Sequence, residues 1–240
     1  MPARFLLLLA VLLWYASPPK AVAYSDRGGV RRTQADLDGA LAVLDRLLEL
    51  APDDVELLGQ RGVLRRQKGE LDGARADFDK VVEVYPQYAG AYVNRGLVLS
   101  LQEKWRQACD DFDAAWRADI YPAFYRCVAH MRLGKIEEAK KELGTALEER
   151  QVAEADDWPR KVAEFLLGKL DEAALLRAAE NKNPETNGWQ QCEAWYFAGI
   201  ARLTAGQRAE AAECFRKSTA TGLKSFTEYR LARGELARLK

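Results

Sequence analysis

A chain of 240 residues with 48% hydrophobic and 30% charged side chains is long and apolar enough to bury a core. Lysine and arginine together number 36, as do aspartate and glutamate, so the formal net charge is zero. This balance argues against a nucleic-acid-binding protein, because such proteins neutralise phosphates with a surplus or a stripe of basic residues.

The first residues have the features of a secretory signal peptide. An arginine at position 4 precedes a stretch of 11 apolar residues, two prolines follow, and Ala21-Val22-Ala23 forms an Ala-x-Ala cleavage sequence. Eleven residues are too few to cross a bilayer, which takes about 20. We therefore expect residues 1–23 to be a signal peptide, and a mature chain from Tyr24 that is periplasmic or secreted and has no transmembrane span. A buried N-terminal helix and an uncleaved anchor are the alternatives.

The segment from Val55 to Pro122 repeats itself with a period of 34 residues. The recurring pairs are Arg61 with Arg95, Gly62 with Gly96, Ala74 with Ala108 and Phe78 with Phe112. Small and large residues in this order are the tetratricopeptide pattern, in which each repeat is a hairpin of two antiparallel helices. The small residues let the two helices cross closely, and the phenylalanine fills the space towards the next hairpin.

The same pattern, in weaker form, covers the rest of the chain. Its repeated alanines are Ala40, Ala74, Ala108, Ala139, Ala173 and Ala211. We predict four repeats over residues 24–153 and a degenerate repeat over 154–191 that starts at Trp158-Pro159. Residues 181–188 are predicted to be a loop by composition. A sixth repeat and a final helix occupy 192–240, with Cys192 near the start of the first helix of that repeat.

The last 16 residues predict one more helix, from Ser225 to Leu239. Ser225 and Glu228 have the spacing of a capping box, and apolar residues recur on one side. Solenoids need such a helix to cover the last repeat. The predicted fold class is therefore all-α, a tetratricopeptide helix-hairpin superhelix with a C-terminal capping helix.

Three parts of the chain resemble the bacterial envelope lipoprotein NlpI family. They are Tyr85-Pro86-Gln87-Tyr88 with residues 91–96, Trp158-Pro159 with residues 164–168, and residues 226–232 with Glu235-Leu236. The resemblance implies a dimeric scaffold that presents cell-wall hydrolases to a periplasmic protease. That family carries a lipid anchor on a cysteine at the cleavage site. Here no cysteine precedes Cys109, which argues against such an anchor.

Residues that would predict an enzyme are scarce. The chain has one histidine, His130, so a zinc site of the HExxH type cannot form, and we expect a structural role for this residue. A glycine-rich phosphate loop followed by Lys-Ser or Lys-Thr is also missing from the sequence. We therefore predict no catalytic residue, no metal and no cofactor.

The four cysteines are Cys109, Cys127, Cys192 and Cys214, an even number in a chain that we expect to be exported. Their spacing lacks the close pair that metal sites usually have. Cys192 and Cys214 fall at neighbouring ends of one hairpin, and Cys109 and Cys127 lie on consecutive helices, so two disulfides are allowed. Four small buried thiols are the alternative.

Binding of proteins or peptides is the function that these observations favour. In stacked tetratricopeptide hairpins the first helices line a concave face. Its predicted groove residues are Val93, Leu97, Leu101, Phe124, Val128, Met131, Tyr196 and Ile200. Such a groove suits an unfolded peptide, an amphipathic helix or a second copy of the chain, unless these residues pack against neighbouring helices. The hypothesis is a non-enzymatic scaffold or adaptor, with a self-assembly module or an accessory part of a secretion or outer-membrane assembly complex as the alternative.

Overall fold

The computed structural model describes residues 34–115, 119–149 and 158–239, with side chains from Leu37 onward. The regular structure in these ranges is α-helical. The helices are α1 Gln34–Leu50, α2 Val55–Lys68, α3 Leu71–Val84, α4 Ala89–Leu101, α5 Trp105–Ala114, α6 Tyr121–Arg132, α7 Ile136–Glu149, α8 Trp158–Leu166, α9 Glu172–Ala178, α10 Pro184–Thr204, α11 Arg208–Ala220 and α12 Thr227–Arg238. None of these helices is long and apolar enough to span a membrane. The predicted signal peptide and the start of the first repeat lie outside the described residues.

The helices pair as hairpins that stack in chain order. α2 packs on α3, α4 on α5, α6 on α7 and α10 on α11, while α3 with α4 and α5 with α6 join successive hairpins. α1 packs on α2 as the second helix of the first repeat. This confirms the all-α tetratricopeptide superhelix.

The turn inside each described hairpin needs one residue in the left-handed region. Gly69, Gly134, Gly168 and Gly206 have φ of 89°, 79°, 75° and 78° in four of these turns. Glycine adopts such angles without steric cost. In the third repeat the same place in the turn is taken by Glu103, with φ of 60°. A non-glycine residue is strained there, and its side chain has a contact that is described below.

The contact between glycine and phenylalanine in the second, third and sixth repeats is the close crossing that the repeat pattern predicts. A Cβ atom would lie 2.8 Å from the Phe78 ring at Gly62, 2.6 Å from the Phe112 ring at Gly96 and 2.4 Å from the Phe215 ring at Gly199. Any side chain at these glycines would therefore force the two helices apart. In the fourth repeat Cys127 replaces the glycine, and the phenylalanine place, 16 residues later, is occupied by Leu143. Both are buried, so a larger residue on one helix is matched by a smaller one on the other.

A second periodic contact joins neighbouring hairpins. In each case an arginine on the first helix of a hairpin contacts two carboxylates. One carboxylate is on the second helix of the same hairpin, and the other is on the second helix of the preceding hairpin. We call the three sets arginine bridges: Arg61 with Asp45 (2.8 Å) and Asp77 (2.7 Å), Arg95 with Asp79 (2.9 Å) and Asp111 (2.7 Å), and Arg126 with Asp113 and Glu142 (3.2 Å). The first two sets are separated by the 34-residue repeat.

The arginine bridges differ in burial. The Asp111 side chain is 6% exposed, and burial raises the pKa of Asp111 although Arg95 opposes the shift. Hydrogen bonds to Asp111 in turn raise the pKa of Arg95. The Asp113 side chain, by contrast, is 68% exposed. The third-repeat bridge therefore contains one buried carboxylate, whereas both carboxylates of the fourth-repeat bridge are more exposed, Glu142 being 34% exposed.

Two sequence predictions about local structure were wrong. The predicted loop at residues 181–188 ends at Asn183, whose side chain accepts hydrogen bonds from the amides of Glu185 and Thr186 at 3.0 Å. With a proline in the first turn, α10 begins at Pro184, so Cys192 lies two turns inside this helix. The final helix is present, but its N-cap is Phe226 without a side-chain bond. The predicted capping box does not form, because Glu228 is buried against the repeats.

Candidate protein-binding groove

The eight predicted groove residues lie on α4, α6 and α10, which are first helices of their repeats. Six of them, Val93, Leu97, Phe124, Val128, Tyr196 and Ile200, are buried, and Leu101 and Met131 are partly buried against the same core. In this structure the residues therefore pack within the chain, as in the alternative reading of their pattern. Their role in binding a partner stays a prediction.

The last helix covers part of this surface. One side of each of the helices α2, α4, α6 and α10 is turned towards α12. We call the surface that these four sides form the inner face. α12 packs on α10 and α11 and also reaches α4. Leu231 and Ala232 are buried in the core that contains the groove residues, and Gly234 lies so close to α4 that a Cβ there would be 3.2 Å from Leu101 Cδ2. α12 thus does more than cap the last repeat.

Polar contacts hold the first half of α12 against the inner face. The Tyr125 hydroxyl on α6 donates a hydrogen bond of 2.6 Å to Glu228, whose side chain is buried. Arg230 donates to the backbone carbonyl of Gln67 at the end of α2. A buried carboxylate needs such partners, since leaving it without them costs several kcal/mol, about 3–5. These contacts therefore fix the position of α12 along the face.

The second half of α12 is held by ion pairs. Glu235 lies between Arg132 on α6, at 3.0 Å, and Arg238 of its own helix, at 2.9 Å. Arg238 also donates to the carbonyl of Leu101 at 2.7 Å, and its Nε lies 3.1 Å from the Glu103 carboxylate. The strained residue of the third-repeat turn therefore contacts the C-terminal helix.

An aromatic ring lies under the two arginines. The guanidinium carbons of Arg132 and Arg238 are 5.0 Å and 5.5 Å from the centre of the Trp105 ring. A guanidinium over an indole is attracted by the negative face of the ring. Trp105 therefore adds a favourable contact for cations at the edge of the inner face.

Burial raises the pKa of two groups in the contact zone of α12. Burial raises the pKa of Glu235, although Arg132 and Arg238 oppose the shift. Burial also raises the pKa of Tyr196 far above its usual value, with contributions from Glu235 and Glu228. The contact zone of α12 is therefore shielded from water.

The cysteines are all free and buried. Of the two alternatives from the sequence, four buried thiols describe the structure, and the two disulfides are not formed. Burial raises the pKa of Cys109, Cys127 and Cys192 to about 12, and it also raises that of Cys214. A thiol is reactive as the thiolate, so these side chains are poor nucleophiles in the folded chain.

One group of side chains has a metal-like arrangement that sequence reasoning missed. His130, Glu138 and Glu142 place one ligand atom each within 4.8 Å of one another. Lys135 lies 2.9 Å from Glu138, and Arg126 lies 3.2 Å from Glu142, so both carboxylates already have cationic partners. The group is accounted for as an ion-pair cluster between α6 and α7. Its members are eight and four residues apart, a spacing that matches no zinc motif.

A family model and a curated relative are among the matches to this sequence. The family model of the tetratricopeptide repeat matches residues 30–93. The lipoprotein NlpI homolog of Haemophilus influenzae is 27% identical over 152 residues, which cover 62% of this chain and 48% of the relative. The aligned part thus spans about half the length of that relative. The chain thus has the tetratricopeptide superhelical fold and resembles NlpI, as the sequence predicted.

Solved structures with the same fold have little sequence identity. A tetratricopeptide repeat protein from Parabacteroides merdae has a TM-score of 0.55 at 19% identity, covering 96% of this chain and 90% of that one. A chain of the APC/C hetero-tetramer Cut9-Hcn1 has a TM-score of 0.53 at 16% identity, covering 85% of this chain and 46% of that one. At such identities the likeness concerns the fold alone.

Proposed function

We propose that this chain is a non-enzymatic scaffold or adaptor of the bacterial cell envelope, which presents cell-wall hydrolases to a periplasmic protease. The observation that carries the proposal is the inner face, which accommodates an amphipathic helix through apolar, hydrogen-bonding and ion-pair contacts together. A surface with this chemistry is suited to helices of other proteins. The likeness to the NlpI homolog supports an envelope function.

The state of the reactive side chains supports a function without chemistry. The thiols of the four cysteines are held protonated by burial. The ring of His130 lies between Glu138 and Glu142, whose charges are balanced by Lys135 and Arg126. His130 thus contacts two carboxylates of α7 that already have cationic partners, an arrangement suited to helix packing.

The proposed location is the periplasm, with proteins as partners. It rests on the signal peptide that the sequence predicts for residues 1–23 and on the envelope relative. Intact-mass measurement of the chain purified from the periplasmic fraction should give a start near Tyr24 without a lipid. A mass that includes residue 1, or a lipid adduct, would contradict this part of the proposal.

The scaffold function can be tested by photo-crosslinking from two exposed leucines. Leu133, 38% exposed, follows α6 and lines a shallow pocket with Trp105 at the edge of the inner face. Leu50, 86% exposed, ends α1 and is the matched control far from that edge along the chain. A photo-crosslinking amino acid at position 133 should capture hydrolases and a protease in the native envelope, identified by mass spectrometry. Absence of any other protein at position 133 would contradict the scaffold function.

Self-assembly is the second candidate, and exposed apolar side chains near the first repeat favour it. Val43 and Leu50 of α1, Val84 of α3 and Tyr85 after it are each at least 40% exposed. Crosslinks from position 50 that contain only copies of this chain, with none to other proteins from position 133, would favour a homodimer or a larger self-assembly. Sedimentation of the purified chain would then give its stoichiometry.

A further inference from the structure

We propose that α12 is an exchangeable occupant of the inner face, and that partner helices bind there by displacing it. The partner segment is an amphipathic helix with two acidic residues seven positions apart and small or branched apolar residues between them. This inference rests on the proposed scaffold function and specifies the chemistry of its partners.

The pattern of the partner follows from α12 itself. Glu228 and Glu235 are 1% and 2% exposed and are separated by two helical turns, so they lie on one side of the helix. Leu231 and Ala232 lie between them on the same side and are also buried. α12 thus presents two carboxylates that flank an apolar centre.

The complementary groups belong to the repeats. Tyr125 receives the first carboxylate as a hydrogen-bond donor, and Arg132 receives the second as a cation above Trp105. Buried ion pairs of this kind contribute little net stability compared with apolar packing, but they penalise a partner that lacks the matching charge. A helix that served only as a cap would be held more strongly by apolar residues alone. The charged contacts therefore indicate selection of a particular helix.

The strained turn of the third repeat supports the same conclusion. Glycine occupies this place in the other four described turns, but here Glu103 has a positive φ and its carboxylate contacts Arg238 of α12. Strained backbone of this kind is concentrated at binding sites, where a side chain has a task that glycine cannot perform. Glu103, which takes the place of glycine in this turn, makes its side-chain contact with α12.

The connection of α12 makes exchange topologically simple. α12 is the last described helix, and residues 221–226 join it to α11. Within the described part of the chain it can therefore leave the inner face without opening a hairpin. A tethered helix has an effective concentration on the order of millimolar, so a competing helix must reproduce its contacts to displace it. A partner helix without the two carboxylates would therefore fail to displace α12 from the inner face.

The first test measures binding of the chain's own C-terminal segment in trans. The probe is a fluorescent synthetic peptide of residues 223–240, added to the full-length chain, with anisotropy as the readout. The chain variant E228Q/E235Q has a weaker internal helix and should bind this peptide about tenfold more tightly than the wild type does. The matched control peptide with both glutamates changed to glutamine should bind the variant about tenfold more weakly than the native peptide.

A second variant keeps the test valid if the buried substitutions disturb folding. Glu103→Gly relieves the turn and removes the contact with Arg238, so it should fold at least as well as the wild type. It should also bind the peptide several-fold more tightly. Circular dichroism verifies the helical content of each variant. Equal peptide binding by the wild type and both folded variants would overturn the inference.

A covalent lock supplies the opposite perturbation. A Cβ at Gly234 would lie 3.2 Å from Leu101 Cδ2, so the variant L101C/G234C brings two cysteines together across α4 and α12, and loss of free thiols on oxidation verifies that they form a disulfide. The oxidised chain should not bind the peptide, and reduction should restore binding. Equal binding to the oxidised and reduced chains would overturn exchange. If hydrolases still crosslink from position 133 of the oxidised chain, the exchange of α12 is wrong but the scaffold function stands. If no protein crosslinks from position 133 in any form of the chain, the scaffold function is wrong.

Discussion

Repeats two and three are connected to their neighbours differently from the fifth repeat. Repeats two and three use the same two contacts at the same spacing, a glycine against a phenylalanine and an arginine bridge. The fifth repeat is shorter, with nine residues in α8 and seven in α9. Its apolar residues share the main core, but its polar contacts with the rest occur only once, such as the hydrogen bond that the Trp158 indole donates to the buried Glu193 of α10.

This difference shows two ways of holding a hairpin in a stack. Periodic contacts let each hairpin use the same surface towards both neighbours, so the sequence can repeat. The polar contacts of the fifth repeat instead use residues that occur once. Glu193 accepts from Trp158 on α8 and lies 3.5 Å from the Tyr121 hydroxyl on α6, and Arg202 of α10 lies 2.7 Å from Glu172 of α9. Its stability should therefore respond to different substitutions.

The largest expected effect is on the buried arginine bridge. Arg95→Ala leaves the buried Asp111 without its guanidinium, and removal of one partner of a buried pair costs about 3–5 kcal/mol. Arg126→Ala is the control within the fourth repeat, because its partners are more exposed and a surface pair contributes about 1 kcal/mol or less. Urea denaturation gives both free energies of unfolding. Equal losses in the two variants would contradict the assigned difference in burial.

The next largest effect is expected when the glycine–phenylalanine pair of the third repeat is replaced by the cysteine–leucine pair of the fourth. Gly96→Cys alone overpacks the crossing and should cost about 1–3 kcal/mol. Phe112→Leu alone leaves a gap and should also destabilise the fold. The double variant reproduces the pair of Cys127 and Leu143, so the two losses should not add, with a coupling of about 0.5–3 kcal/mol in favour of the double variant. Additive losses in the double-mutant cycle would show that the two sites are independent.

A smaller effect is expected at the fifth repeat. Trp158→Phe removes the indole donor to Glu193 but retains an aromatic ring, and loss of a hydrogen bond to a charged group costs about 1.5 kcal/mol. Tyr121→Phe, which removes the longer contact to the same carboxylate, is the control and should cost less. Hydrogen exchange should increase mainly in α8 and α9 in the Trp158 variant. Uniform protection loss across repeats two and three would contradict a local connection.

The smallest expected effect is a pH dependence of stability that arises from Glu235 on the inner face. Because burial raises the pKa of Glu235, the folded chain binds this proton at higher pH than the unfolded chain does. The contribution of Glu235 to stability is therefore greatest below its unfolded pKa, about 4.3. It falls as the pH rises through the raised value. Between pH 4 and pH 8 the wild type should lose stability relative to E235Q, while Asp111, present in both chains, contributes equally. A constant difference would contradict the raised pKa.

The regular part of the fold could be predicted because its contacts recur in the sequence. Gly62 and Gly96 align with Phe78 and Phe112 at one spacing, and the structure confirms their contact. The arginines of the same motif were also recognised, but their aspartate partners, 16 residues away on either side, were not. A search for opposite charges at that spacing would have found them.

The position of α12 on the inner face could not be predicted by the same reasoning. A repeat pattern describes contacts between neighbouring hairpins, whereas Glu228 and Glu235 contact Tyr125 and Arg132, 103 residues earlier. The sequence also placed Glu228 in a capping box, a local role that the long-range contact replaced. The start of α10 was missed for a different reason. Asn183 and Pro184 are common in loops, but in this order they also begin helices.

The arginine bridges have a consequence for how long such a chain can become. Each of the first two repeats places an aspartate, Asp45 or Asp79, where the arginine of the following repeat needs it. A duplicate of residues 55–88 inserted after position 88 would supply its own Arg61 with Asp79 of the original copy, and would offer its own Asp79 to Arg95. The stack could thus gain a hairpin while the arginine of each bridge still contacts two carboxylates. The 34-residue spacing of the bridge residues therefore allows the stack to be elongated by duplication of a repeat in the gene.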